Sequence, residues 1–224
     1  THASNVTGTL LPIEQIGNIA KNFGIPYLVD AAQTAGVIPM SFSKLPVDLV
    51  AFPGHKGLLG PQGTGVLYIK EGIELNTIRE GGTGSQSENF HQPCFLPDRY
   101  ESGTLNTPGI AGLGAGVQYI LSEGQQKLLS CQRHLEKLFL DALSHIKNVT
   151  VYGPEKTEER IGIISINIKG HDSSYISNIL SENYGIAIRG GLHCAPLAHK
   201  TIGTFPQGTV RFSPGIFNTL EEVK

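Results

Sequence analysis

The chain has 224 residues, and its 17 basic and 19 acidic side chains give a formal net charge of -2, which provides no basic surface for nucleic acid. No apolar run is long enough to span a membrane and no signal segment opens the sequence, so no membrane partner is expected. The three cysteines are too few and too irregularly spaced for a disulfide framework. This favours a reducing compartment, and we expect a globular cytoplasmic protein.

The first half of the sequence alternates apolar runs with turn residues, which predicts an α/β sheet with helical cover. Apolar residues at helical spacing after Pro12 predict a helix that ends at Gly24. Short apolar runs predict the strands 26–30, 47–52 and 64–70. We expect a mostly parallel sheet whose strand order cannot be read. Residues 71–108 are rich in Gly, Ser and Pro and predict a long irregular passage of the kind that carries function or covers a site.

The second half is first helical and then mixed. Helices are predicted over 109–120, 127–146 and 172–184, and strands over 161–168, 186–188 and 209–213. The run Gly112-Leu-Gly-Ala-Gly-Val117 is similar to a dinucleotide-binding loop, but no strand precedes it, so we interpret its glycines as sites of close helix packing. The mixed tail after the helices predicts a second, smaller α+β domain.

Two turns after predicted strands carry side chains suited to cofactor chemistry. Lys56 lies in a glycine-rich turn between two strands, and a lysine held partly away from water favours the neutral amine that forms Schiff bases with aldehydes. Asp30 and Gln33 follow another strand, where open α/β sheets bind ligands. A carboxylate there can keep a pyridinium nitrogen protonated. The ordinary alternatives are an exposed loop lysine and an aspartate that caps a helix.

A third turn carries a cysteine in a reactive setting. Cys194 follows two glycines, and the neighbouring Arg189 and His193 favour the thiolate, which is the useful nucleophile. We interpret the other two cysteines, Cys94 and Cys131, as structural. A metal site is the alternative, and two sets of side chains offer it: His91 with Cys94, and His193 with Cys194 and His199. Neither set has the paired spacing typical of zinc sites, so we expect no metal.

The chain resembles the class V aminotransferase family of fold-type I pyridoxal phosphate (PLP) enzymes, and within it most resembles the cysteine desulfurases and selenocysteine lyases. Three motifs in the same order carry the resemblance: Asp30-Ala-Ala-Gln33, Gly54-His-Lys56 and Arg189-Gly-Gly-Leu-His-Cys-Ala-Pro196. The similarity extends over essentially the whole chain, from Ser4 to Thr219. It implies a three-layer PLP-dependent transferase fold with a mostly parallel sheet, followed by a smaller α+β C-terminal domain. Residues 1–108 would then be the C-terminal part of the PLP-binding large domain, and residues 109–224 a linking helix and the small domain.

The resemblance also implies roles for particular residues. Lys56 would hold the PLP aldehyde as a Schiff base and move the α-proton of the substrate, and Cys194 would attack the substrate sulfur, leaving alanine and an enzyme persulfide. Arg211 would bind the α-carboxylate of the substrate, with Arg189 beside it. The other cofactor contacts would be made by Asp30 at the ring nitrogen, Gln33 at the phenolic oxygen, His55 at the phosphate, Asn5 over the ring and towards the substrate, and Thr104 at the phosphate of the partner subunit's cofactor.

Further implications concern partners and completeness. Cysteine or selenocysteine would be the substrate of a homodimer that passes sulfur to an acceptor protein, as in iron–sulfur cluster biogenesis. Pro53 departs from the family, where a serine often bonds the phosphate, because proline has neither a hydroxyl nor an N–H donor. Family members carry a long segment before the residue that matches Thr1, so we expect a truncated chain that binds PLP weakly.

Three alternatives to a cysteine desulfurase remain open from the sequence. Selenocysteine lyase is the nearest of them. Another class V aminotransferase fits less well, since transamination has no need of Cys194. The alternative outside enzymes is an inactive fragment that serves dimerisation or binds a sulfur carrier.

Overall fold

The computed structural model describes residues 1–224 and contains two separate β-sheets. The first sheet has the order β1-β2-β3, formed by β1 (Leu28–Asp30), β2 (Leu49–Pro53) and β3 (Gly65–Ile69). Strands β1 and β2 are parallel and β2 and β3 are antiparallel, so parallel pairing does not predominate within these three strands. The physical reason is the short connection from β2 to β3, which contains no crossover helix. All three strands lie within two residues of their predicted bounds.

Helix α1 (Ile13–Asn22) packs against this sheet, as its apolar spacing predicted. Ile13 is buried with Val29, Val47 and Val50 in one core cluster, and burial of such a side chain contributes about 1.5–3 kcal/mol. Gly17 allows the close approach, because a Cβ at this position would overlap the carbonyl of Pro46.

Helices α2 (Thr107–Glu123) and α3 (Gln125–Ser144) follow an irregular passage in which no helix or strand occurs. The passage was predicted over 71–108, and α2 begins just before that end, at Thr107. The side chain of Asn106 caps α2 by accepting a 3.1 Å hydrogen bond from the Gly109 amide. A Cβ at Gly116 would overlap the carbonyl of Leu58, so the glycines of α2 permit close packing and the dinucleotide loop is excluded. None of the helices has the combined length and apolarity needed to cross a membrane.

The second sheet is wholly antiparallel and has the order β4-β5-β7-β6. Its strands are β4 (Val149–Tyr152), β5 (Ile164–Ile168), β6 (Arg189–Gly191) and β7 (Thr209–Phe212). The helices around it are α4 (Ser173–Tyr184), α5 (Pro196–Thr201) and α6 (Leu220–Val223), with a 3-10 turn over Thr157–Glu159. Its core joins Ile164, Ile166 and Val210 to Leu143 of α3.

Several elements of this half differ from the prediction. Strand β4, helices α5 and α6 and the 3-10 turn were not predicted. Strand β5 begins three residues after the start of the predicted strand 161–168, and β6 lies three residues later than the predicted strand 186–188. Arg-Gly-Gly has little intrinsic strand propensity, and its pairing is set by β7 and by the space above α4. A Cβ at Gly190 would crowd Ser173 and Ser177 of that helix.

The N-terminal segment, residues 2–10, connects both halves of the chain. The His2 amide donates to the carbonyl of Asp30 at the end of β1 (2.8 Å), and the Leu10 amide donates to the carbonyl of Glu159 (2.9 Å). The Ile161 amide donates back to the carbonyl of Gly8 (2.9 Å). This segment therefore has fixed contacts with both sheets. The domain boundary at residue 108 stays a prediction, and α2 begins beside it at Thr107.

Candidate active site

A cavity of about 600 Å³ is lined by residues from both halves of the chain. Six of the nine predicted site residues line it: Asn5, Gln33, Lys56, Arg189, Cys194 and Arg211. No aspartate or glutamate contributes to its lining, so its fully charged groups are one lysine and two arginines. A cavity lined by charges of one sign concentrates ligands of the opposite sign, and this one suits an anion.

The turns that carry Gln33 and Lys56 pack backbone to backbone. Gly36 has a φ of +80°, a conformation that favours glycine, and a Cβ there would overlap the carbonyl of Gly57. A Cβ at Gly57 would in turn crowd the carbonyl of Ala35. The two glycines thus bring the side chains of Gln33 and Lys56 into the same wall of the cavity.

Lys56 itself is exposed, which corrects the expectation that it is held partly away from water. The residue lies in the turn that joins β2 to β3, beyond the ends of the strands, and neither strand covers it. Pro53 is the last residue of β2 and is in register with Gly65.

Three predicted site residues lie outside the lining of the cavity. Asp30 is exposed at the end of β1, and its Oδ1 accepts a 2.9 Å hydrogen bond from the Ala32 amide in a turn, with no helix following for it to cap. His55 is exposed beside Lys56, and Thr104 is exposed in the irregular passage before α2. Their roles at the cofactor stay predictions.

Two arginines face each other across strands β6 and β7. Arg189 and Arg211 are direct partners in the antiparallel register, an arrangement that is unfavourable for like charges. Arg211 is half-buried, its Nη1 donates to the carbonyl of Asn5 (2.9 Å), and its buried Nε has no partner in the protein. Burial lowers the pKa of Arg211, and the neighbouring charge of Arg189 lowers it further. The pair is therefore a site where an anionic group would relieve repulsion and satisfy an unpaired donor.

Cys194 lies in a strained turn directly after β6. His193 has a φ of 50° and Cys194 a φ of 61°, so two consecutive residues other than glycine adopt the left-handed conformation. The Cys194 side chain is exposed, and its Sγ lies 3.7 Å from Nη2 of Arg189. The side chain of Asn5 donates to the carbonyl of His193 (2.7 Å) and so connects this turn to the N-terminal segment.

The rest of the lining was not among the predicted site residues. His193, which the sequence indicated only as a neighbour of Cys194 and as part of the metal alternative, lines the cavity. Gln132 and the segment 213–217 line it as well. An apolar wall completes the lining, formed by Leu128, Leu129, Ile161, Ile163, Ile216 and Phe217. The helical spacing of α3 indicates an apolar face, but spacing alone does not separate a cavity wall from a core.

The other two cysteines and the histidines of the metal alternative form no metal site. Cys94 and Cys131 are both exposed, and the interpretation of them as structural rather than catalytic stays a prediction. The rings of His193 and His199 lie 5.5 Å apart between centroids. No three side chains of His, Cys, Asp or Glu converge as metal ligands.

The two sheets and the cavity that carries both the lysine turn and the cysteine turn match solved cysteine desulfurases, so the fold is that of fold-type I PLP enzymes. The chain belongs to the aminotransferase class-V family, whose sequence model matches residues 1–224. Enzymes of this family depend on PLP.

Relatives and solved structures agree with this assignment. The chain is 38% identical to a probable cysteine desulfurase of Methanothermobacter thermautotrophicus and 36% identical to a cysteine desulfurase of Salmonella agona, covering 57% and 54% of their lengths and all of its own. The apo structure of cysteine desulfurase from Thermococcus onnurineus NA1 matches 99% of this chain and 56% of that chain, with a TM-score of 0.87 and 36% identity. The cysteine desulfurase CsdA from Escherichia coli matches 99% of this chain and 55% of that chain, with a TM-score of 0.86 and 30% identity. The chain thus spans about half the length of the relatives it matches.

Proposed function

We propose that this chain carries the catalytic residues of a PLP-dependent cysteine desulfurase, which converts L-cysteine to L-alanine and retains the sulfur as a persulfide on Cys194. One observation supports the proposal above the others: a single cavity brings together Lys56, the facing arginines and Cys194. A lysine and a carboxylate-binding arginine would serve any class V aminotransferase. The exposed cysteine beside them is needed only where sulfur is abstracted.

The residues of the cavity fit PLP. Lys56 offers the amine that would hold the cofactor aldehyde, and Gln33 is a neighbouring hydrogen-bonding group on the same wall. The absence of acidic side chains from the lining suits the phosphate and the substrate carboxylate. When bound, PLP withdraws electrons from the α-carbon of the substrate, which is the chemistry that no side chain of this chain supplies.

Each protein group then has a defined task. Arg211 would bind the α-carboxylate, because its Nε has no protein partner while one Nη is held on the Asn5 carbonyl. Asn5 would orient the substrate from the N-terminal segment. The Lys56 amine would take the α-proton and later return a proton to the substrate.

Cys194 would perform the sulfur transfer. Its Sγ, as a thiolate near Arg189, attacks the substrate sulfur, so that an S–S bond forms and the Cβ–S bond breaks. The electron pair of the broken bond stays on the substrate carbon, which takes up a proton and becomes the methyl group of alanine. The transferred sulfur is oxidised and the carbon is reduced, so the step needs no external oxidant.

The partners form part of the same proposal. The exposure of Cys194 would let the thiol of an acceptor protein reach the persulfide. The irregular passage before α2 carries large apolar side chains that are almost completely exposed, at 97% for Ile78 and 102% for Phe90, which supports a homodimer that covers them.

The test combines cofactor fixation with product analysis. The protein is mixed with PLP, reduced with borohydride and mapped, and the adduct is expected on Lys56. Incubation of a separate, unreduced sample with PLP and L-cysteine is expected to yield alanine and a mass increase of one sulfur atom on Cys194. A keto acid product would instead indicate an aminotransferase. Turnover of selenocysteine but not of cysteine would indicate a selenocysteine lyase. A lack of PLP binding would indicate a fragment that has only a binding role.

A further inference from the structure

His193 is a buried histidine directly beside the exposed Cys194, and its tautomer is fixed by its neighbours. The side chain is 3% exposed, and its Nε2 lies 3.1 Å from both the carbonyl oxygen and the hydroxyl oxygen of Thr209. A carbonyl oxygen can only accept, so Nε2 must carry the proton. Nδ1 is then a bare nitrogen, and it is buried without a partner in the protein.

The hydroxyl of Thr209 continues into a buried chain of hydrogen bonds. Thr209 Oγ1 donates to Ser165 Oγ (3.2 Å), and Ser165 Oγ donates to the carbonyl of Val6. Both hydroxyl residues and Val6 have no exposed surface. Because the proton of Thr209 is directed to Ser165, its oxygen is free to accept from His193. The His193 ring is thereby connected through β7 and β5 to the N-terminal segment.

The hydrogen bond from His193 Nε2 to Thr209, called the anchor below, stabilises a strained backbone turn. Left-handed residues other than glycine are strained and persist only where their surroundings determine them, and here two of them are adjacent. The turn is held by the ring of His193 on one side and by the amide of Asn5 on its carbonyl on the other. The Cys194 side chain contributes one polar contact, to Arg189. The location of Sγ therefore depends on the anchor of its neighbour.

We propose that His193 is a positioning residue for Cys194, whose Nε2–H bond to Thr209 fixes the left-handed turn that presents the thiol to the cavity. His193 does not take a proton from the thiol. Its ring is neutral, since burial and then the charge of Arg211 lower the pKa of His193 to about 4. The inference deepens the proposed function, because it concerns the same cysteine, but the anchor itself does not depend on that function.

Three variants separate an anchor from a proton acceptor. His193→Gln places an amide N–H near the position of Nε2 and has no basic nitrogen. His193→Asn has an amide too short to reach Thr209 and serves as the matched control. Thr209→Val keeps the carbonyl acceptor and removes only the hydroxyl. It provides a second test if the His193→Asn variant does not fold.

The first measurement needs neither cofactor nor turnover. Alkylation of Cys194 by iodoacetamide is compared with that of the exposed Cys94 and Cys131 in the same molecules. The measured quantity is the ratio of the alkylation rate of Cys194 to that of the other two cysteines. We expect His193→Gln to keep the wild-type ratio, and His193→Asn to lower it because Sγ leaves its contact with Arg189. Thr209→Val is expected to lie between them. Equal ratios in all variants would overturn the anchor.

The second measurement is persulfide formation on Cys194 in one turnover, normalised to the fraction of unreduced protein that has PLP bound. We expect His193→Asn to lower the amount of persulfide about tenfold or more, because it removes a buried hydrogen bond. His193→Gln is expected to stay within about threefold of the wild-type amount. A comparable loss in both, with a changed pH profile in His193→Gln, would overturn the proposal in favour of a proton acceptor. If the wild-type protein forms no persulfide, the proposed function fails, while the alkylation ratios still decide on the anchor.

Discussion

Replacing Glu136 by glutamine should change how the free energy of unfolding depends on pH. Glu136 lies on α3 with no exposed surface, and its Oε1 is 2.8 Å from Nε of the equally buried Arg160. The guanidinium of Arg160 also donates to the carbonyls of Pro154 and Ile163, so the pair fastens α3 to the segment that forms part of the cavity wall. Burial raises the pKa of Glu136 from 4.5 to about 7, because desolvation outweighs the attraction of Arg160 and Arg133.

The direction of the effect follows from proton binding. Between pH 4.5 and about 7 the folded chain holds a proton on Glu136 that the unfolded chain has lost, so stability falls as the pH rises through this range. At about 1.4 kcal/mol for each pH unit, the loss is about 3 kcal/mol. His193 acts in the opposite direction: its pKa is lowered from 6.5 to about 4, so the unfolded chain binds more protons and stability rises with pH, again by about 3 kcal/mol.

The contributions of Glu136 and His193 to the unfolding free energy therefore nearly cancel between pH 4.5 and 6.5 in the unmodified chain. Glu136→Gln removes the falling contribution, and we expect its unfolding free energy to rise by about 3 kcal/mol across that range. Burial also lowers the pKa of His2 and of His199, which reinforces the rise. The slope is compared, not the absolute stability, since the glutamine amide also changes the polar contact with Arg160.

Urea unfolding followed by circular dichroism at several pH values across this range measures the slope directly. Glu123→Gln is the control, because Glu123 forms only a partly exposed pair with Lys127 and such pairs contribute about 0–1 kcal/mol. A Glu136→Gln variant with the same pH dependence as the unmodified chain would refute the argument. It would mean that Glu136 is already ionised in the folded chain at pH 4.5.

Three further substitutions test the site. Lys56→Ala should abolish the borohydride-stable PLP adduct, and an adduct mapped on Lys21, Lys44 or Lys70 would move the assignment away from Lys56. Cys194→Ala should bind PLP and change its spectrum with L-cysteine but form no persulfide, whereas full desulfurase activity would place the nucleophile elsewhere, with Cys94 the next candidate. Gly57→Ala should lower the unfolding free energy by about 1–3 kcal/mol and weaken PLP binding, because its Cβ crowds the Ala35 carbonyl, and an unaltered urea midpoint and PLP titration would contradict this.

The sequence motifs predicted part of the cavity lining, although Asp30 and His55 of the same motifs lie outside it. Lys56, Gln33 and Cys194 each follow a strand in a glycine-containing turn, and such turns carry a local signal of chain reversal. The long helices were also predictable, because the apolar spacing of α1 or α3 extends over several turns. Strand β6 was misplaced because its pairing depends on partners distant in sequence.

Long-range pairings carried no signal in one sequence. The contact of Glu136 with Arg160 and the chain from His193 through Thr209 to Ser165 each join residues on different elements, and nothing in their local sequence marks them. The exposure of Lys56 was mispredicted for a related reason. Two flanking strands indicate where the turn lies, but they do not determine what covers it.

The facing arginines lead to a last prediction, in which the binding site weakens the fold that carries it. Arg189 and Arg211 are direct cross-strand partners, and opposed like charges cost about 0.2–1 kcal/mol. Arg189→Gln should therefore raise the unfolding free energy by that amount at low ionic strength, and less at high ionic strength, since Arg189 is exposed to screening. Lys200→Gln is the control, because Lys200 lies over the ring of Phe205 and is therefore not expected to gain stability.

Arg189→Gln should also reduce the amount by which a carboxylate ligand stabilises the folded chain. A ligand that binds only the folded chain stabilises it in proportion to its affinity, and the variant has one guanidinium fewer to bind it. Urea unfolding with and without added L-alanine, the proposed product, on the PLP-loaded protein should show a smaller gain for Arg189→Gln than for the unmodified chain. A variant that is less stable without ligand would show that the repulsion is already compensated within the protein. In that case an unpaired cationic cavity would no longer be an argument for an anionic substrate.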